Sequence, residues 1–138
     1  MAGLYFCPAS GRKKGDSFND TMTNLERAQD LYRMVFTGQL LEAFDKYYGE
    51  NVTMTEIGET PRVGKAFNRE YEQKFLSSVE GFHDAGITAI ASNEETGYVL
   101  IENWMDVTMS GAGRMKMEQV NVQRWEDGVI VDEKFYHK

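Results

Sequence analysis

Three long runs near the C-terminal end leave few folds open to this chain. Gly97 to Met109, Arg114 to Trp125 and Val129 to His137 each alternate apolar with polar side chains. Ser110-Gly111-Ala112-Gly113 and Glu126-Asp127-Gly128 join them. Runs rich in Val, Ile, Met, Trp and Thr, separated by short glycine turns, predict three strands in an antiparallel meander. Inside the runs stand Glu102, Asp106, Glu118, Asn121 and Glu133. Acids are depleted in strands. Each of these polar residues is therefore expected on a wet face or on the lining of a cavity.

The chain of 138 residues suits one domain with a core of its own. Lys and Arg number 15 against 22 Asp and Glu, a net charge of −7. That balance argues against nucleic acid and anionic membranes as partners, since both need basic patches. The single cysteine, Cys7, allows no internal disulfide and no cysteine zinc site, and suits a reducing cytoplasm. No apolar run approaches the roughly 20 residues that span a bilayer. The N-terminus lacks the order of a signal peptide.

Residues 1–22 have no period and read as a flexible leader; 23–138 read as the domain. Thr23-Asn24-Leu25-Glu26 is a capping box. Leu25, Ala28, Leu31, Tyr32, Val35 and Phe36 then recur at three and four, predicting an amphipathic helix that ends at Gly38. Leu40, Leu41, Phe44, Tyr47 and Tyr48 predict a second helix, stopped by Gly49. Asn51–Ile57 alternates as a strand, and a loop containing Pro61 follows. Phe67, Tyr71, Phe75 and Val79 fall on one stripe of a third helix. Ile87–Ala91 predicts the next strand. Helices first and a mostly antiparallel sheet afterwards make an α+β fold. A curved sheet of this kind wraps around its three helices and leaves a cone-shaped cavity.

The order of elements, Tyr47-Tyr48-Gly49-Glu50-Asn51-Val52-Thr53, the turn Pro61-Arg62-Val63-Gly64 and the hairpin Val122 to Val131 resemble the nuclear transport factor 2-like superfamily. Within it the chain is similar to the SnoaL-like polyketide cyclase and ketosteroid isomerase branch. The resemblance covers about residues 24–137 and implies a cystatin-like cone, a pocket for a small apolar molecule and a homodimer formed through the sheet. By spacing, the isomerase's base falls on Thr55, with Glu56 beside it. Its oxyanion tyrosine falls near Leu31, with Tyr32 next, and its protonated acid falls on Asn121. The residue types differ at all three positions. The cyclases set histidines around a pocket carboxylate; here there are only His83 and His137.

Turn chemistry decides which side chains share a face. A three-residue loop at Glu126-Asp127-Gly128 pairs Asn121 with Glu133, and a four-residue loop at Ser110–Gly113 pairs Glu102 with Asn121. Glu133, Glu102 and Asn121 then form a catalytic row. Trp104, Asp106, Met117 and Phe135 lie on that face as ligand contacts, together with Tyr32, Thr55 and Glu56 from elsewhere. Val99, Ile101, Met105, Val107, Val120, Val122, Ile130 and Tyr136 take the other face, apolar enough for a subunit contact. If Asp127-Gly128 is instead a two-residue turn, Val122 faces Glu133, and a one-residue slip exchanges the faces. No Gly-rich phosphate loop, Ser-His-Asp order or metal-spaced histidine pair appears, so no metal or cofactor is expected. The expected activity is proton transfer on a small carbonyl compound, as in isomerisation or aldol-type cyclisation. A non-catalytic binding or dimerisation module is the alternative, and a dehydratase or hydrolase a third.

Overall fold

The computed structural model describes residues 21–137. The leader expected at 1–22 lies outside these residues except for its last two.

The capping box forms as the sequence predicts. The Thr23 hydroxyl accepts from the Glu26 amide, and the Glu26 carboxylate accepts from the Thr23 amide. The Glu94 carboxylate adds to this by accepting from the Asn24 and Leu25 amides. Helix α1 therefore starts at Asn24 and runs to Phe36, and α2 follows at Leu40–Tyr47. Strand β1 (Tyr48–Glu56) begins where α2 ends, so Gly49 lies in the strand and does not stop the helix. The Pro61 loop contains a two-residue strand, β2 (Arg62–Val63), before α3 (Lys65–Ser78). Strand β3 (Val79–Asn93) is far longer than its alternating core predicts, because Gly81 and Gly86 sit inside it beside register shifts. The Trp104 indole lies over Gly86, where an added Cβ would stand 3.0 Å from its ring nitrogen. The meander follows as β4 (Tyr98–Met109), β5 (Gly113–Glu126) and β6 (Val129–His137).

The six strands lie in the order β2-β1-β6-β5-β4-β3. All neighbours are antiparallel except β1 and β6, which run parallel. The sheet curves without closing and is covered on its inner face by the three helices. Phe44, Val52, Met54, Val99, Ile101, Trp125 and Ile130 form the core between the layers.

Both meander registers depart from expectation. Met109 pairs with Gly113, so Ile101, and not Glu102, faces Asn121. That slip of one residue exchanges the faces of β4. Val99, Ile101 and Val107 turn inward and are fully buried, and Glu102 pairs with Val120 on the outer face. At the other hairpin Asp127 and Gly128 both take positive φ, the geometry of a two-residue turn, and Glu126 pairs with Val129. A bulge beyond Trp125 then adds one residue to β6, so Gln123 meets Glu133 and Asn121 meets Phe135. Neither simple register survives, but the bulge keeps Asn121 and Glu133 on one face.

Gly97 anchors the sheet at the open end of β4. Its φ is +82°, its carbonyl accepts from the Trp125 amide at 2.8 Å, and a Cβ there would lie 2.4 Å from the Trp125 carbonyl oxygen. Gly97→Ala is expected to cost about 2 kcal/mol or more from backbone strain and displacement of Trp125. Urea unfolding measures this; an unchanged midpoint would show that the loop yields freely.

Candidate functional site

The inner face of the sheet carries a chain of buried polar side chains. Trp125 Nε1 donates to Gln123 Oε1 at 3.0 Å, and Gln123 Nε2 donates to Glu133 Oε2 at 2.9 Å. Asn121 Nδ2 donates to the same oxygen at 2.9 Å, and Asn103 Nδ2 donates to Asn121 Oδ1 at 3.0 Å. The Tyr48 hydroxyl closes the network on Glu133 Oε1. Strand alternation builds this set: Gln123, Asn121 and Asn103 lie on inward positions of β5 and β4, opposite Glu133 on β6. Glu133 is fully buried. Burial raises its pKa, while Tyr48, Asn121 and Gln123 pull it back down.

Above this network opens a cavity of about 200 Å³. Leu31, Tyr32 and Val35 of α1 and Leu40 and Phe44 of α2 form one wall, and Tyr71, Glu72 and Phe75 of α3 another. The sheet supplies Tyr48, Glu56, Asn103, Met105, Met117, Gln119, Asn121 and Phe135. Asn68 fixes α3 over the sheet. It is fully buried, donates to the Arg62 and Gly64 carbonyls at 3.0 and 2.9 Å, and accepts from Arg62 Nε at 3.1 Å. One turn further along α3 stands Glu72.

The lining falls into two sets. Tyr48 and Asn121 are committed to the network beneath. Glu56 is also committed, to Arg62 at 3.4 Å and His137 at 2.9 Å. The Glu72 carboxyl, the Tyr32 hydroxyl and the Gln119 amide make no hydrogen bond with any described residue. Burial, reinforced by the charges of Glu133 and Glu56 and only partly opposed by Arg62, lifts Glu72 from 4.5 to about 7. Burial also holds the Tyr32 hydroxyl well above the usual tyrosine range, so it remains a neutral donor. A carboxyl near neutrality beside an uncommitted hydroxyl, between apolar walls, is equipped to accept and return a proton. Among the described residues no cluster of His, Cys, Asp and Glu is arranged to hold a metal ion.

The expected site residues separate accordingly. Tyr32, Glu56, Asn121, Met117 and Phe135 line the cavity. Glu133 lies beneath it, behind Tyr48 and Asn121, and does not form part of its surface. Glu102, Trp104 and Asp106 sit on the outer face because of the β4 slip. Glu102 and Trp104 border an open groove there with Lys116, Glu118 and Tyr136, while Asp106 is paired with Arg114 at 3.0 Å. Thr55 pairs in register with Lys134, also on the outer face. Sequence reasoning missed Glu72, Tyr48, Asn103, Gln119 and Gln123. The stripe of Phe67, Tyr71, Phe75 and Val79 is only partly inward: Tyr71 and Phe75 line the cavity, while Phe67 is 57% exposed and Asn68 is fully buried. Asn68, Glu72 and Phe75, spaced four and three apart, mark the inward face. Two polar residues on a helix otherwise rich in charge gave little signal.

Residues 22–137 match the SnoaL-like domain family. A solved structure from Mesorhizobium loti, described as a SnoaL-like polyketide cyclase, superposes with a TM-score of 0.73 at 25% identity, covering 84% of this chain and all of that one. A Bacillus subtilis protein described as an isomerase superposes at 0.72 with 16% identity, over 85% of this chain and 90% of that one. An LEH-like epoxide hydrolase from M. tuberculosis gives 0.68 with 16% identity, over 83% and 82%. Structures described as NTF2-like, from Cytophaga hutchinsonii, and as having a cystatin-like fold, from Xanthomonas campestris, superpose with TM-scores of 0.66 and 0.73, so the fold is of that kind. No curated protein matches the chain.

Proposed function

The chain belongs to the SnoaL-like domain family, and from that premise we propose that its cavity binds a small, largely apolar carbonyl compound and transfers a proton on it. The observation that supports this reading is the uncommitted Glu72 carboxyl, lifted to about 7 inside an apolar cavity. Glu72 is the acid or base, and Tyr32 donates a hydrogen bond to the oxygen where negative charge grows. Asn121, held by Glu133 and Asn103, is a fixed part of the floor. Isomerisation and aldol-type cyclisation both need these elements. The test is exchange of solvent deuterium into a panel of enolisable ketones and β-dicarbonyl compounds, followed by proton NMR. The wild type is expected to catalyse exchange for at least one compound, with Glu72→Gln reducing the rate at least a hundredfold. Exchange that is unaffected by Glu72→Gln would remove Glu72 from the role. No exchange above buffer with any bound compound would favour a binding module.

We further propose that the protein pairs with a second copy through the outer face of the sheet. Support comes from Leu100 and Tyr136, 46% and 43% exposed, which lie in register with Val122 and Val120. This stripe is shorter than the sequence suggested, because Val99, Ile101, Val107 and Ile130 belong to the core. Val120→Lys with Val122→Lys is expected to give a monomer with the fold retained. A wild type that sediments as a monomer at micromolar concentration would rule out the pairing.

A further inference from the structure

The character of the cavity narrows what fits in it. Among the described residues six aromatic side chains line it, Tyr32, Phe44, Tyr48, Tyr71, Phe75 and Phe135, and no Lys or Arg does. The nearby cation, Arg62, is already engaged. It is buried, bonded to Asn68 and Glu56, and its guanidinium carbon stands 3.7 Å from the centre of the Tyr71 ring. Three carboxyls surround the space: Glu72 and Glu56 on its wall and Glu133 beneath it. Tyr32, only 7% exposed, lines the same space, and its hydroxyl has no hydrogen-bond partner among the described residues.

An anion entering here would meet like charge, with no uncommitted Lys or Arg among the described lining residues to receive it. A neutral apolar body would fill the space but leave the Glu72 carboxyl without a partner, an arrangement that favours its neutral form. A cation with an apolar body satisfies both conditions. Its positive charge is attracted by aromatic faces and by the carboxylate, and its carbon envelope meets the apolar walls. Tyr71 with Arg62 already shows such a contact at the edge of the cavity. We propose that the natural occupant of the cavity carries, beside the carbonyl proposed above, a small amine or quaternary ammonium group, with Glu72 as its counter-ion. This inference rests on the cavity being the binding site, as proposed above, but it does not require the proton transfer.

The cation also couples to the proton on Glu72. Among the described residues the groups facing that carboxyl are Glu133 of β6, Glu56 of β1 with its partner His137, Arg62 of β2 and the hydroxyls of Tyr32, Tyr48 and Tyr71. Of these only Arg62 favours the ionised form, and it is shared with Glu56. A bound ammonium supplies the missing charge, so binding releases the Glu72 proton and strengthens as pH rises through about 7.

The probes are choline and its neutral carbon isostere, 3,3-dimethylbutan-1-ol, titrated into the full-length chain and followed by amide NMR shifts. At pH 8 choline is expected to bind at least tenfold more tightly than the isostere, with shifts centred on Leu31–Val35, Phe44 and Gln119. Its affinity should fall several-fold at pH 6. In Glu72→Gln the charge preference and the pH dependence should both disappear. Equal binding of the two probes at pH 8, or no choline binding at all, overturns the proposal. So do choline shifts centred on Trp104 and Glu118 of the outer groove. A wild type that prefers choline at pH 8 but shows no deuterium exchange with any compound would instead refute the catalytic reading and leave the ligand class standing.

Discussion

Glu133→Leu is expected to destabilise the protein by about 3–5 kcal/mol, enough to leave much of it unfolded at 37 °C. The leucine is nearly the same size, so packing is not the reason. Glu133 accepts from Tyr48, Asn121 and Gln123, all at buried positions. Removing the acceptor leaves three donors in a dry site, each costing about 1–3 kcal/mol. Glu133→Gln should behave very differently. Its amide oxygen can take the place of Oε2 and accept from both Asn121 and Gln123, while its NH2 group donates to the Tyr48 oxygen. Burial raises the Glu133 pKa, and a carboxyl with a raised folded value loses stability as pH rises past its unfolded value. The glutamine carries no such loss and should match or exceed wild-type stability at neutral pH. Urea unfolding of both variants measures the contrast. Equal losses would mean that charge, and not hydrogen-bond acceptance, holds the network.

Glu72→Gln is the second large effect, and it depends on pH. Below about 4.5 the carboxyl is protonated in folded and unfolded chains alike, and the substitution changes little. Between 4.5 and about 7 the unfolded chain gives up the proton and the folded one keeps it, so wild-type stability declines. Above about 7 the full difference is established. The shift would be worth about 3 kcal/mol if the site were sealed, and about 2 kcal/mol is expected because Glu72 retains some access to solvent. Glu72→Gln should therefore gain about 2 kcal/mol over wild type at pH 8 and almost nothing at pH 4. Melting curves across that range provide the check. A gain independent of pH would assign the effect to packing. The same variant should lose exchange activity, so stability and activity would move in opposite directions, as expected of a residue held in an unfavourable state for function.

The order of elements was legible because periodicity and glycine placement are local signals. The Thr23 capping box, the helices and the three meander strands follow from them. Register was less accessible. In β4 the loop closed on Gly113 instead of Arg114, and that single step moved Glu102, Trp104 and Asp106 to the outer face. In β6 a bulge that no residue type announces kept Glu133 inward after the turn had reversed its parity. Glu133 could be recognised as buried from its apolar neighbours, but whether it touched the cavity depended on Tyr48, which comes from the far end of β1. Glu72 was the least legible. Its position follows from the rotation of α3, set by the bonds between Asn68 and Arg62, and apolar residues on two sides of that helix left the rotation undetermined.

Proton transfer and charge preference both depend on the protonation of Glu72, and a carbon-13 NMR titration of its side-chain carboxyl in the intact protein measures that directly. The midpoint is expected near 7, and it should fall in Glu133→Gln, where the buried negative charge beneath the cavity is gone. A midpoint at the ordinary glutamate value of about 4.3 would contradict the account, because Glu72 would then be an ordinary solvated carboxylate with no proton to exchange at neutral pH.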